Sequence, residues 1–368
     1  MSTKPKLAMY WASSCGGCEI SVLNIGEHIL TVDEVFDLAF FPCIADFKIK
    51  DVQGYPDGSI DLCLFNGAIR NSENEEMAHL LRRKSKVLVA FGSCAYEGCI
   101  PALSNLTSRA ATLRTVFLDN PSLDNPHGIL PQPHFAAPEG VLELPEFYHT
   151  VKALDQVVDV DYFIPGCPPE PHQIWAVLQV VVAALTQGAP LPPQGAVVGA
   201  GDVAVCEECP LAKHEKTISR FYRPYEVQPT PGLCLLEQGL MCNGPATRSG
   251  CGALCPQVGM GCRGCYGPLA GVEDQGARIL TAVASVIDVA GKPGDNEEAL
   301  ARKVEAAIDT IVDPAGTFYR FSMAHSLLRR VRTADAALTP GAPAARNGGN
   351  GAAPAAAAQP SRKEVKVA

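Results

Sequence analysis

The chain has 368 residues, 47% of them hydrophobic, which is enough for roughly two domains with buried cores. Its 30 basic and 39 acidic residues give a net charge of −9, which argues against a nucleic-acid-binding protein. Fifteen cysteines in a chain of this length exclude a small disulfide scaffold, so the cysteines need another explanation.

Apolar runs alternate with helical patterns through the first half of the chain. Strands that alternate with helices predict a parallel sheet of the α/β class. The predicted strands are residues 6–11, 60–66, 86–92 and 157–164, and the predicted helices are about 19–30, 71–84 and 170–187, the last ending at Gly188.

Cysteines follow three of these strands. Cys15 and Cys18 come after the first strand, Cys94 after the third and Cys167 after the fourth. The carboxyl ends of parallel strands share one edge of an open sheet, and ligands bind at that edge. We therefore expect these four thiols to converge, although they lie far apart in the sequence.

The second half has a different character. Residues 188–200 are rich in Gly, Pro and Ala and are predicted to be a linker. Eight cysteines then fall between Cys206 and Cys265 with little periodicity, so bound metal is expected to supply folding energy there. Helices are predicted at 275–290, 296–312 and 314–333, and a disordered Ala/Pro/Gly tail from about Leu338. The expected domains are 1–190 and 200–335, followed by the tail at 338–368.

The N-terminus shows no secretion signal, which predicts a cytoplasmic protein. The most apolar stretch, Ile174–Thr186, has 13 residues, and a membrane helix needs about 20, so no transmembrane segment is expected. In a reducing compartment the cysteines are expected to be metal-bound thiolates.

Twelve cysteines stand in Cys-x-x-Cys pairs or at isolated positions typical of ligands, which makes three sets of four. Iron–sulfur clusters take four thiolates, and a Cys-Pro step is common at the last ligand. Cys43, Cys63 and Cys99 remain, and are predicted to be ordinary thiols, with Cys63 in the core. The three pairs are Cys15/Cys18, Cys206/Cys209 and Cys262/Cys265, and the isolated cysteines are Cys94, Cys167, Cys234, Cys242, Cys251 and Cys255.

Zinc is the main alternative to iron–sulfur clusters. Either of the later pairs alone would favour zinc, and Cys94 or Cys167 alone would favour a structural thiol. Taken together they favour iron–sulfur clusters, because a zinc ribbon would not place thiols at three strand ends of an α/β sheet.

The surrounding residues carry a family resemblance. WASSCGGCEIS, VAFGSCAYEGCIPAL and FIPGCPPEP resemble the cluster domain that nickel–iron hydrogenase small subunits share with respiratory complex I. CEEC, GLCLLEQGLMCNGPATRSGC and CRGCYGP are similar to the C-terminal cluster domain of hydrogenase small subunits. The pattern covers about residues 5–330 and is most similar to the cytoplasmic methyl-viologen-reducing, heterodisulfide-reductase-associated type.

The resemblance implies a flavodoxin-like N-terminal domain, an irregular iron–sulfur C-terminal domain with terminal helices, and three [4Fe-4S] clusters. The division of the eight later cysteines comes from the resemblance alone, and Cys242 and Cys251 could exchange sets. The medial cluster could be [3Fe-4S], but a fourth cysteine favours [4Fe-4S]. The implied ligands are Cys15, Cys18, Cys94 and Cys167 (proximal), Cys251, Cys255, Cys262 and Cys265 (medial), and Cys206, Cys209, Cys234 and Cys242 (distal).

The implied function is that of an electron-transfer small subunit of a nickel–iron hydrogenase, for the reaction H₂ ⇌ 2H⁺ + 2e⁻. The nickel–iron centre would lie in a large-subunit partner, and a flavin or iron–sulfur protein would accept electrons. Glu19 and Glu97 are expected to be interface or cap residues, with redox tuning or proton relay as the alternative. Rival hypotheses are a complex I-like quinone oxidoreductase cluster subunit and a zinc-stabilised scaffold protein.

Overall fold

The structure, a computed structural model, describes residues 4–289 and 296–328, so the predicted tail lies outside the described residues. The strands are β1 Lys6–Trp11, β2 Asp37–Phe40, β3 Ile60–Asn66, β4 Ile69–Asn71, β5 Ser85–Phe91, β6 His134–Ala137, β7 Gly140–Glu143, β8 Phe147–Lys152, β9 Tyr162–Ile164 and β10 Ala196–Val197. The helices are α1 Gly17–Leu23, α2 His28–Val35, α3 Ile49–Gly54, α4 Ser72–Lys84, α5 Ser93–Glu97, α6 Cys99–Ala102, α7 Arg109–Phe117, α8 Pro171–Gln187, α9 Val205–Glu208, α10 Leu254–Gln257, α11 Gln275–Ala284, α12 Glu297–Ile308 and α13 Pro314–Phe318.

Six strands form one parallel sheet in the order β2-β1-β3-β5-β9-β10. This confirms the predicted α/β class. The first five strands have the flavodoxin-like order, and β10 adds a short edge strand. That edge strand comes from the segment predicted to be a linker.

Apolar side chains fill both faces of the sheet, because helices cover both. Val52 of α3 and Leu81 of α4 belong to the core on one face. Val32 of α2 and Leu178 of α8 belong to the core on the other. The sheet is therefore buried on both faces. The edge formed by the carboxyl ends of its strands is the part that the helices leave uncovered.

The strand register brings the carboxyl ends of four strands into line. Trp11 pairs with Asn66, Asn66 with Phe91, and Phe91 with Ile164. The loops that follow these strands therefore leave the sheet side by side.

Helix α4 shows why the predicted helix over 71–84 forms. The Asn71 side chain caps it by accepting a hydrogen bond from the Asn74 backbone N–H at 2.8 Å. Glu73 lies in the first turn and basic residues fill the last, which complements the helix dipole.

Two predicted elements in the first half are wrong in extent. The helix predicted at 19–30 is two helices, α1 and α2, separated at a turn that contains Gly26 in a left-handed conformation (φ 68°). The strand predicted at 157–164 pairs only over β9. β9 begins five residues later than predicted, directly after Asp161, whose carboxylate accepts hydrogen bonds from the Leu88 N–H at 2.7 Å and from Arg82 at 2.6 Å.

The helices of the second half are shorter than predicted, and they build a core. Ile218 and Phe221 of the cysteine-rich segment pack with Ile279 of α11, Phe318 of α13 and Ala102 of α6. This segment thus buries apolar surface by packing against both α11 and the first half of the chain, which local sequence patterns did not predict.

No helix within residues 4–289 and 296–328 combines the length and the apolar character needed to cross a membrane.

Candidate metal centres

The four thiols predicted to meet at the strand ends do come together. Burial raises the pKa of the Cys18 thiol far above its ordinary value, and the charges of Cys94, Cys167 and Cys15 raise it further. Cys18 and Cys94 are buried, Cys167 is half-buried and Cys15 is exposed, so burial opposes ionisation of Cys18 without sealing the whole site from water. A bound metal would relieve this, because it replaces the thiol protons.

A glycine lies directly beside one of these thiols. A Cβ atom on Gly92, which links β5 to α5, would lie 2.5 Å from the Cys18 Sγ and 3.7 Å from the Asn66 Oδ1. Gly92 therefore leaves the space beside the sulfur open, as close approach of an inorganic group requires.

A second group of thiols lines one small pocket formed by loops. Cys206, Cys209, Cys234 and Cys242 share its wall with Lys213. Burial raises the pKa of Cys206 to about 12, and the charges of Cys242, Cys234 and Cys209 add to the increase while Lys213 opposes it.

The third group lies between the other two. Burial raises the pKa of Cys265 to about 12, and the charges of Cys167, Cys251 and Cys255 contribute. Burial likewise raises the pKa of Cys262, with contributions from Cys242 and Cys265. Packing joins these thiols: Cys265 lies in one cluster with Cys94 and Cys167, and Cys262 lies in one cluster with Cys209, Cys242 and Cys251.

The donor set fits iron–sulfur clusters. The Cys262 backbone N–H donates to the Cys242 Sγ at 3.3 Å. Backbone hydrogen bonds from Ala253 and Leu254 lower the pKa of Cys251, although burial outweighs them. Peptide N–H groups directed at thiolate sulfur are a principal means of adjusting cluster potentials.

All fifteen cysteines lie within the described residues, and all are free thiols. Among those residues, no three His, Cys, Asp or Glu side chains meet closely enough to hold a single metal ion.

Glu208 is a site residue that sequence reasoning missed. It stands within the Cys206-x-x-Cys209 pair, yet its carboxylate accepts hydrogen bonds from the backbone N–H groups of Gly250 at 3.0 Å and Ala253 at 3.2 Å. Glu208 thereby orients the loop that carries Cys251, and only the tertiary contact reveals this.

Polar side chains also join the strand-end site to the Cys262-x-x-Cys265 loop. The Ser93 hydroxyl donates to the Cys265 carbonyl. Tyr266 donates to the Gln173 Oε1 at 2.8 Å, and Gln173 donates to the Pro165 carbonyl at 3.1 Å. These hydrogen bonds fix the position of the Cys262-x-x-Cys265 loop relative to the strand-end thiols.

Of the three cysteines left outside the sets, Cys63 lies in the core of β3, as predicted, and Cys43 is exposed. Cys99 is buried, and its Sγ lies 3.7 Å from the Cys167 Sγ. This hydrogen bond lowers the pKa of Cys167. Cys99 is therefore part of the surroundings of the strand-end site and not an isolated core thiol.

Both glutamates singled out from the sequence are buried. The Glu19 Oε1 accepts a hydrogen bond from the Asn66 side chain at 2.7 Å, and its Oε2 has no partner. Glu97 is not a cap: it pairs with His325 Nδ1 at 3.1 Å, and His325 Nε2 lies 3.1 Å from Asp155. This triad fastens the last described segment to the first half of the chain.

The triad predicts a pH-dependent stability. Burial alone would lower the pKa of His325 from 6.5, but hydrogen bonds with Asp155 and Glu97 outweigh it and raise the pKa to about 10. Because the folded pKa lies above the unfolded one, the stabilisation is complete below about pH 6.5 and is lost as the pH rises through about 10. His325→Ala should cost about 3 kcal/mol at pH 7, since it leaves Glu97 buried without its counter-charge.

Urea unfolding of the wild type and His325→Ala at pH 7 and pH 10 measures this effect. The exposed His127→Ala serves as the control and should change stability by less than about 0.5 kcal/mol. If the free energy of unfolding differs between the wild type and His325→Ala by the same amount at both pH values, the result would contradict the ion pair.

Known proteins resemble this chain over most of its length. The family described as "NADH ubiquinone oxidoreductase, 20 Kd subunit" matches residues 15–181. The iron–sulfur subunit of an F420-non-reducing hydrogenase from Archaeoglobus profundus is 38% identical over 77% of this chain and 88% of its own length. A subunit of the F420-non-reducing hydrogenase of Methanothermobacter thermautotrophicus is 35% identical over 89% of this chain and 97% of its own length.

Among solved structures, a chain of an NAD⁺-reducing [NiFe]-hydrogenase in the H₂-reduced state is 30% identical, with a TM-score of 0.42 over 49% of this chain and 92% of that chain. The two hydrogenase subunits are more than one third identical to this chain, and the aligned regions cover most of this chain and most of each relative. This confirms the resemblance drawn from the cysteine motifs. The chain belongs to the family of F420-non-reducing hydrogenase iron–sulfur subunits, a family of oxidoreductase small subunits.

Proposed function

We propose that this chain is the electron-transfer small subunit of a nickel–iron hydrogenase, which carries electrons between a large-subunit nickel–iron centre and an acceptor. The observation that supports this most directly is that Cys265 packs in one cluster with Cys167, while the Cys262 N–H donates to the Cys242 Sγ at 3.3 Å, so that the thiols follow one another in a series. Iron–sulfur clusters, when bound, supply one-electron redox chemistry.

We propose one cluster for each set of four cysteines. The strand-end group would hold a proximal [4Fe-4S] cluster and the pocket group a distal one. The third group would hold a medial cluster, for which Cys255 supports four-iron occupancy. The residues of the chain hold the ligands apart, exclude water by burial and direct N–H groups at sulfur, which sets the order and potentials of the relay. The sets are Cys15, Cys18, Cys94 and Cys167; Cys251, Cys255, Cys262 and Cys265; and Cys206, Cys209, Cys234 and Cys242.

The large subunit is expected to cover the strand-end edge. Trp11 at the end of β1 and Ile20 and Leu23 on α1 are exposed there, next to the exposed Cys15. Apolar side chains grouped at one edge are typical of a subunit interface. A partner seated there would bring its metal centre close to the proximal thiols.

The iron content of the purified complex tests this proposal. Three [4Fe-4S] clusters require about 12 iron and about 12 sulfide per chain. We expect the chain, co-expressed with its large subunit, to co-purify with it, to contain essentially no zinc and to reduce methyl viologen with hydrogen.

Cys43→Ser is the matched control, because Cys43 is exposed and belongs to none of the three groups. It should leave iron content and dye reduction unchanged. A zinc-rich preparation with less than about four iron per chain would contradict the proposal and favour a zinc-stabilised scaffold.

A further inference from the structure

Three arginines surround a pocket that the relay itself does not require. Arg223, Arg263 and Arg320 line a cavity of about 410 Å³ together with Tyr222 and Tyr225. We call this feature the arginine pocket. Its guanidinium groups come from three separate segments, so the cluster is a product of the tertiary fold.

The positive charge of the arginine pocket is largely uncompensated. None of the three arginines forms an ion pair with another part of the chain that the structure describes. The one carboxylate in the wall, Asp313, uses its Oδ1 to cap α13 by accepting from the Gly316 N–H at 2.9 Å. The pocket is thus locally positive on a chain of net charge −9.

The pocket lies directly against the thiol-bearing loops. Arg263 stands between Cys262 and Cys265 in the sequence, and its side chain lines the pocket. Met241, the neighbour of Cys242, also lines the pocket. A group seated in it would therefore lie next to both the medial and the distal thiols.

The surroundings of the pocket fit a protein better than a small anion. Tyr225 is 83% exposed, and Val258, Met260 and Val312 are exposed nearby in the pocket wall or the adjoining loop. Tyr, Met and Arg are the residues enriched in protein–protein interfaces, and Tyr and Arg dominate their binding energy. A small anion would use the guanidinium groups but not this apolar rim.

We propose that the arginine pocket is the docking site of an acidic electron-carrier protein. Carboxylates of the carrier would pair with the guanidinium groups, and the positive charge would steer its approach. In the docked complex one electron at a time leaves the relay, which is oxidised, and enters the flavin or iron–sulfur centre of the carrier, which is reduced; each H₂ supplies two electrons and releases two protons. This inference rests on the proposed function.

The experiment reverses two charges in the complete complex. Arg223→Glu/Arg320→Glu is co-expressed with the large subunit, and hydrogen-dependent reduction of an acidic ferredoxin and of methyl viologen are both measured. We expect the KM for the ferredoxin to rise at least about tenfold, while dye reduction stays unchanged. The KM of the wild type should increase with salt concentration, and the KM of the variant should not. Arg278→Glu/Arg302→Glu makes the same charge change on α11 and α12 and should leave both activities as in the wild type.

Several outcomes would overturn the inference. An unchanged ferredoxin KM would do so, as would loss of co-purification, which would show that the large subunit covers the pocket. Tight binding of inorganic phosphate without any change in ferredoxin KM would make it a small-anion site. If the charge-reversal variant has a lowered iron content, the milder variant Arg223→Gln/Arg320→Gln is used in its place. That variant must still raise the KM for the ferredoxin. A wild-type complex without iron or dye reduction would instead refute the proposed function.

Discussion

A Cys18→Ser variant should lose hydrogen oxidation with every acceptor, dye or protein, by about 100-fold or more. Cys18 is buried at the centre of the strand-end group, where its thiol interacts with those of Cys15, Cys94 and Cys167. In the proposed relay this group is the only exit from the large subunit. An electron that cannot enter there has no route to any acceptor.

Cys209→Ser provides the contrast that makes the result informative. Cys209 belongs to the pocket group at the other end of the series, so a small dye should still draw electrons from the inner groups. Dye reduction should survive in part, whereas reduction of a protein acceptor should fail. Both variants must first be shown to co-purify with the large subunit, because a lost cluster also removes folding energy.

The two variants test separate assignments. Retained activity in Cys18→Ser would refute the proximal assignment. Equal loss of dye and protein reduction in assembled Cys209→Ser would refute the distal one.

Gly92→Ala should remove the proximal cluster while every cysteine remains in place. Gly92 has φ 81° and ψ 161°, a conformation that side chains rarely adopt. An added Cβ would lie 2.5 Å from the Cys18 Sγ, so the thiol has to turn away from its place beside the other three. We expect about four of the roughly 12 iron atoms per chain to be lost, together with hydrogen oxidation.

Gly26→Ala separates backbone strain from the clash. Gly26 also has a positive φ of 68°, but nothing lies within 4 Å of an added Cβ. It should cost about 1–2 kcal/mol of stability and leave iron content unchanged. Iron analysis and electron paramagnetic resonance of the reduced complexes measure both variants. A Gly92→Ala complex with full iron would show that the space beside Cys18 is not used.

The sequence by itself determined the parallel α/β sheet and the meeting of Cys15, Cys18, Cys94 and Cys167. Both depend on local features, namely apolar runs that form strands and turns that follow them directly. Because the strands are parallel and in register, every such turn leaves the sheet at one edge. The local pattern of strands and turns therefore implied that cysteines far apart in the sequence meet in space. The motifs around these cysteines also identified the family.

Only the tertiary structure decided the rest. It delayed the start of β9 to Tyr162, directly after Asp161 and its bonds to Leu88 and Arg82, and it brought Cys99 against Cys167. It also paired His325 with Glu97 across 228 residues of sequence, and it gathered three arginines around one pocket. Each of these depends on side chains from distant segments that meet only when the sheet, the loops and the second core have packed together. No local period or spacing in the sequence encodes such a meeting.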